Sequence, residues 1–189
     1  TVSASAQSVT PDTVAKAVAA AWKGLSPEMQ ARVDQDKAMK ICSETKNNPS
    51  KAQAEEIMKE AKAAIVYPAD GKFMGDWKKG ERGALNGYGL RMGDDPKREI
   101  GGNCYACHQL NPKEISFGTL GPPLLRYGKA RGNTPEAQKE VYERIYNAQA
   151  NLACSNMPRF GHNKMLTIDQ IKDYVALLLD PESPVNKGQ

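Results

Sequence analysis

An all-α fold is predicted for this chain of 189 residues on three observations. Helix-start signals recur along it, apolar residues follow them at spacings of three and four, and no stretch alternates apolar and polar residues with comparable strength.

The first start signal is Thr10-Pro11-Asp12: a capping hydroxyl, a proline at the first helical position, and an acid at the positive end of the dipole. Val14, Val18 and Ala21 follow on one face, and Gly24 ends the run. Ser26-Pro27-Glu28 repeats the signal, with Met29 and Val33 as a weaker stripe. Asn48-Pro49 opens a third predicted helix, in which Ala54, Ile57, Met58, Ala61 and Ile65 share a face until Pro68 stops it. These helices carry too few apolar residues for a core of their own. Residues 1–74 are therefore expected to form a helical N-terminal extension lying on a second segment, residues 75–189, with the boundary near Asp70 to Gly75.

From Gly75 to Gly102, and again from Gly121-Pro122-Pro123 to Gly132, glycine is frequent and little regular structure is expected. Helix returns at Thr134-Pro135-Glu136, with Val141, Ile145 and Ala148 on one side. It returns again at Thr167-Ile168-Asp169-Gln170, which fits a capping box. Ile168, Ile171, Tyr174, Val175 and Leu178 then form a core face, closed by Asp180-Pro181. Neither internal repeats nor low-complexity tracts are found.

The formal net charge of +4 comes from 26 basic and 22 acidic side chains that are interspersed. Such a surface has only a mild electrostatic bias, which does not indicate nucleic-acid binding. The longest apolar run, Val175 to Leu179, is far short of a membrane span. The start at Thr1 shows no charged-then-apolar leader, and the expectation is a mature chain whose leader has been removed.

Cys104-Tyr105-Ala106-Cys107-His108 carries the chemistry. Two thiols three positions apart followed at once by an imidazole form the attachment pattern of c-type haem. Cys104 and Cys107 would add to the two porphyrin vinyl groups as thioethers, and His108 would donate a nitrogen to the iron. A thioredoxin-like redox pair has no use for His108, and no second thiol pair is present to complete tetrahedral zinc. The expectation is one covalently attached haem c in a class I cytochrome c domain at residues 75–189. Such haem is attached after export, in an oxidising space, which predicts a periplasmic location.

With two histidines in the chain and His108 assigned, the second axial ligand must be His162, one of seven methionines, a spare cysteine, a lysine or an exogenous molecule. Met157 is the best candidate. It lies in Asn156-Met157-Pro158-Arg159-Phe160-Gly161, between the two C-terminal helices, where Pro158 stiffens the backbone. The alternative is that Met157 is ordinary core filler. His162 is expected at the surface or behind the ligands. Lys129, Arg131 and Arg159 are candidates to neutralise the haem propionates. The two spare thiols, Cys42 and Cys154, admit three readings: a disulfide, two inert buried thiols, or Cys154 as a competing iron ligand or bridge to a partner chain.

Together these motifs resemble one family. Gly102-Asn103-Cys104-Tyr105-Ala106-Cys107-His108, Gly118-Thr119-Leu120-Gly121-Pro122-Pro123-Leu124-Leu125, Met157-Pro158-Arg159-Phe160-Gly161 and Leu177-Leu178-Leu179-Asp180-Pro181 with Ser183-Pro184-Val185-Asn186 are similar to SoxX proteins, the small cytochrome subunits of thiosulfate-oxidising SoxAX complexes. The resemblance covers about Gly75 to Asn186, and the extension and the spare cysteine pair depart from the pattern. It implies that Cys104 and Cys107 hold the haem, that His108 and Met157 are axial ligands, and that the Pro122 carbonyl accepts a hydrogen bond from the other His108 nitrogen, fixing its orientation.

It further implies a haem-bearing SoxA-like partner in a heterodimer, a SoxYZ-like carrier whose cysteine is coupled oxidatively to thiosulfate, and a downstream cytochrome or other electron acceptor. In that setting the chain is a non-catalytic electron-transfer subunit of an oxidoreductase of the L-cysteine S-thiosulfotransferase type. The competing expectations are a freely diffusing class I cytochrome c shuttle and a haem-based sensor with a labile ligand. A permanent subunit needs a larger interface than a shuttle, which is where the extension favours the former.

Overall fold

The computed structural model describes residues 9–89, 94–95 and 97–187. Among these residues the regular structure is helical and no strand occurs, so the chain is all-α. Two compact units divide it, Thr1–Lys40 and Ile41–Gln189.

In the first unit, α1 (Pro11–Ala21) begins where predicted, with the Thr10 side chain accepting from the Thr13 amide. The predicted stripe of Val14, Val18 and Ala21 is nevertheless exposed, and α1 buries none of its residues. Two valines and an alanine offer little area to bury. Its caps and the Asp12–Lys16 pair at 2.8 Å, one turn apart, support the helix locally instead. α2 (Pro27–Val33) is capped by Ser26 as its sequence signal predicts.

α3 (Lys37–Glu44), which lies outside the predicted helices, carries Cys42. α4 (Lys51–Ala63) starts two residues after Pro49, because Ser50 and Gln53 form a reciprocal capping box there. Its buried residues are Ile57 and Ala61. Beyond its end, Ile65 is also buried, and Ala61 and Ile65 belong to one hydrophobic cluster with Tyr142, Val175 and Leu177. The segment after residue 40 therefore shares a core with the C-terminal helices.

The largest departure from the sequence reading is α5 (Trp77–Leu85), a helix inside the glycine-rich stretch where little regular structure was expected. Its sequence, WKKGERGAL, reads as a poor helix former because glycine costs about 1 kcal/mol relative to alanine in a helix. Tertiary packing overrides that preference. A Cβ at Gly80 would overlap the Asp173 carbonyl, so this glycine lets α5 lie directly on α8 (Ile168–Leu179), the most extensive helix pair of the fold.

α6 (Tyr127–Arg131) is a second short helix in the glycine-rich region. α7 (Pro135–Tyr146) and α8 begin at Thr134 and Thr167 as predicted, the latter with its Gln170 capping box. α8 is buried from Tyr174 through Leu179, beyond a single face. Buried Glu143 on α7 accepts from the Tyr67 hydroxyl at 2.7 Å and faces the Lys62 and Lys139 ammoniums at 3.6 and 3.8 Å. Partial burial, followed by this carboxylate, pushes the Tyr67 phenol up to about 12.

The chain turns through α9 (Pro184–Lys187), which lies in the terminal Ser183-Pro184-Val185-Asn186 motif. Asn186, fully buried, is its keystone. Its side-chain oxygen accepts from the Gly128 amide at 2.8 Å, and its amide nitrogen donates to the carbonyls of Leu178 at 3.0 Å and Asp180 at 2.9 Å. One side chain thereby ties the start of α6 to the end of α8. Asn186→Leu fills the space and satisfies none of these partners, so it is expected to destabilise by about 2–4 kcal/mol, read from the midpoint of urea unfolding. A loss below about 0.5 kcal/mol would contradict the role given to this side chain.

Candidate functional site

Cys104, Cys107 and His108 sit on a short 3-10 turn, Cys104–Ala106, and the residues just after it. Asn103 enters it in the left-handed conformation, φ 48°, a region that asparagine tolerates better than most side chains. The turn is anchored from behind, because the Gly102 amide donates to the Gly83 carbonyl of α5 and lies 3.0 Å from the Tyr174 hydroxyl of α8. The α5–α8 crossing thus fixes where the motif begins. The amide of His108 closes the turn on the Cys104 carbonyl at 2.9 Å.

A second segment runs alongside. The amides of Gly118, Gly121 and Leu124 donate to the carbonyls of Tyr105, Cys107 and Gln109 at 2.8, 2.8 and 2.7 Å. This register delivers the Pro122 carbonyl to His108, whose Nδ1 lies 2.7 Å from it. A carbonyl can only accept, so Nδ1 is the donor and Nε2 is the ring nitrogen left to face a metal. Gly121 lies against the same ring so closely that a Cβ there would overlap it. Gly121→Val is expected to displace the imidazole and release its tautomer. Nitrogen-15 NMR of the imidazole in the haem-free chain should then change from one Nδ1-protonated form to a mixture, and an unchanged spectrum would contradict this packing.

The thiols of Cys104 and Cys107 are not joined to each other. Burial pushes the Cys104 thiol up to about 12. Leu120, 90% exposed beside Gly121, and Ile115, 94% exposed in the preceding loop, leave two large apolar side chains in water near the motif. Among the described residues no group of three or more His, Cys, Asp and Glu is arranged to hold a metal. The donors present are instead two free thiols and one oriented imidazole. That set fits a covalently held flat macrocycle whose iron takes one histidine.

Met157 is half-buried, and both it and Cys104 pack against the hydrophobic cluster that includes Tyr142 and Val175. Its amide donates to Ser155 Oγ at 3.2 Å. The loop that carries it returns to α7 at Tyr146, whose carbonyl accepts from the amides of Gly161 and His162 at 3.0 and 3.1 Å. His162 itself is exposed. Lys129 and Arg131 are exposed on α6, where the Arg131 guanidinium lies 5.8 Å from the Tyr127 ring centre, and Arg159 is partly buried in the Met157 loop.

Cys42 and Cys154 form a disulfide with Cα atoms 5.4 Å apart, so of the three readings of these thiols the first holds. Sequence reasoning missed two supports of the site: Tyr174 behind Gly102, and Gly121 beneath His108. The Gly-Pro-Pro stretch signalled a close backbone approach without showing what approaches. A concavity of about 290 Å³ between Trp77, Glu81, Pro112 and Pro184 is separate, with none of the motif residues or Met157 among its lining.

No protein-family model matches the chain. It is 44% identical over 165 residues to an uncharacterized lipoprotein of Aquifex aeolicus (strain VF5), a match that takes in 84% of this chain and 76% of the relative.

Proposed function

The chain belongs to the family of that Aquifex aeolicus lipoprotein, and we propose that it is a mono-haem c-type cytochrome that transfers electrons as a SoxX-like subunit of a sulfur-oxidising complex. The observation that carries this reading is the 2.7 Å bond between His108 Nδ1 and the Pro122 carbonyl. It orients, on the residue that follows the second motif cysteine, an imidazole whose Nε2 is the nitrogen left for an iron.

Cys104 and Cys107 would hold the group, His108 and Met157 would ligate its iron, and the group would supply a one-electron couple. Met157 contributes a soft thioether, which favours the reduced metal relative to a second imidazole. Two protein ligands leave no position for a substrate, which suits electron transfer better than catalysis. The all-α core is then a class I cytochrome c domain, with the helices before residue 75 as its N-terminal extension.

An extracytoplasmic, periplasmic setting is supported in two ways. The relative's name calls it a lipoprotein, and the Cys42–Cys154 disulfide is of a kind that persists in oxidising compartments. Among the described residues no helix is long and apolar enough to cross a membrane. The partners in this reading are a SoxA-like haem subunit, a SoxYZ-like carrier and a downstream electron acceptor.

Copurification from the native source tests it. A second haem-bearing chain eluting with this one, together with thiosulfate-dependent reduction of both, is the expected result. Elution of this chain alone in a fully active extract would favour the freely diffusing shuttle instead.

A further inference from the structure

The loop between α7 and α8 carries Met157, and several hydrogen bonds in its middle close within it. The amides of Leu152, Ser155 and Met157 donate to the Ala148 carbonyl, the Leu152 carbonyl and Ser155 Oγ at 3.1, 3.2 and 3.2 Å. What ties this loop to the body of the fold is different in kind. At its start, the 3-10 turn Ala148–Ala150 packs on α4. At its end, Gly161 lies against the Tyr146 ring. Between them Phe160 is buried in the hydrophobic cluster and Met157 packs against it, and a covalent bond runs from Cys154 to Cys42 on α3, with both cysteines buried at 8% and 7% exposure.

Cys154 has φ 57°, a left-handed conformation unusual for a residue that is neither glycine nor asparagine. The cross-link is positioned to hold it there. Cys154 lies three positions before Met157, a reach of at most about 11 Å, so fixing one side chain restricts where the other can go.

We infer that Cys42 and Cys154 are positioning residues for Met157: their disulfide, with α4 behind it, braces the loop so that the thioether stays presented to the metal. The inference rests on the proposed reading of Met157 as an iron ligand. A thioether is a neutral, weakly basic donor, and its hold on a metal depends on the loop having little conformational freedom to lose. The brace supplies that restriction and gives Cys42 on α3, and α4, a task at the site.

The test uses the haem-loaded full chain in its ferrous state, exposed to carbon monoxide at neutral pH. The parent is expected to be inert. With serine at both Cys42 and Cys154, the fraction that binds carbon monoxide should rise on the order of tenfold, because the ligand-free loop state becomes more populated, and the ferric sulfur-to-iron charge-transfer band should weaken. Should that variant not fold, a water-soluble phosphine opens the disulfide of the parent in the cold, converting it to two thiols as the phosphine takes up oxygen from water. Alkylation then caps only Cys42 and Cys154, since the other two sulfurs are thioethers, and far-UV circular dichroism verifies that the helices remain.

Thr134→Ala, which removes the cap at the end of α7 far from this loop, serves as a control and should stay inert. If the cross-link-free protein keeps its helices and remains inert, or if Thr134→Ala binds carbon monoxide equally well, the brace is overturned. If the parent itself binds carbon monoxide and lacks the charge-transfer band, the assignment of Met157 falls first, and the brace with it.

Discussion

Replacing Met157 by alanine is expected to abolish the sulfur-to-iron charge-transfer band of the oxidised protein and to lower its reduction potential. The decrease should be a sizeable part of the roughly 0.8 V over which axial ligands tune haem iron. The sign follows from the chemistry of the donor: a thioether stabilises the reduced metal, whereas water or a nitrogen base that takes its place favours the oxidised one. Met157 is half-buried against the main hydrophobic cluster, so the substitution also removes packing, at a cost of about 2–3 kcal/mol. The two effects separate cleanly, because a Met157→Leu variant restores most of the packing and none of the ligation. Potentiometry and the near-infrared edge of the visible spectrum read the outcome. Survival of the band in either variant would remove Met157 from the site.

A second large effect is expected from the disulfide. Cys42 and Cys154 are 112 residues apart in sequence, so their bond closes a loop that takes in α4, α5, the Cys104–His108 segment and all of α7. In the chain-entropy view such a cross-link stabilises by about 5 kcal/mol by restricting the unfolded chain. That is a third or more of the 5–15 kcal/mol typical of a whole domain. Serine at both positions should therefore lower the urea midpoint of the haem-free chain drastically. A loss of only about 1 kcal/mol would show that the unfolded chain already holds these segments together.

Much of the fold is legible because its helices announce themselves locally. The caps at Thr10, Ser26, Thr134 and Thr167 are short-range chemistry, a side-chain oxygen meeting an amide three residues on, and the sequence contains both partners. What escapes local reading depends on distant partners. α5 is hidden because Gly80 and Gly83 look like loop residues until α8 is seen lying on them. The reverse holds for α1, where a regular apolar spacing at Val14 and Val18 does not translate into burial.

The site divides in the same way. Cys104, Cys107 and His108 lie within five consecutive residues, so their pattern is visible at once. The Pro122 carbonyl is a backbone group, which no residue pattern encodes directly, and it came into view only through resemblance. Pairing of Cys42 with Cys154 requires two Cα atoms within about 7 Å, a condition that residues so far apart in sequence do not reveal. Asn186 belonged to a recognisable terminal motif, yet its task depends on carbonyls of α8 and an amide of α6.

The account turns on whether a porphyrin is bonded to Cys104 and Cys107. Intact mass measured after denaturation and washing with acidified acetone answers that most directly. The predicted result is coloured protein whose mass equals the chain plus one haem, with two sulfurs unavailable to alkylation after full reduction. Colourless protein with the mass of the bare chain, from cells competent in haem attachment, would contradict it.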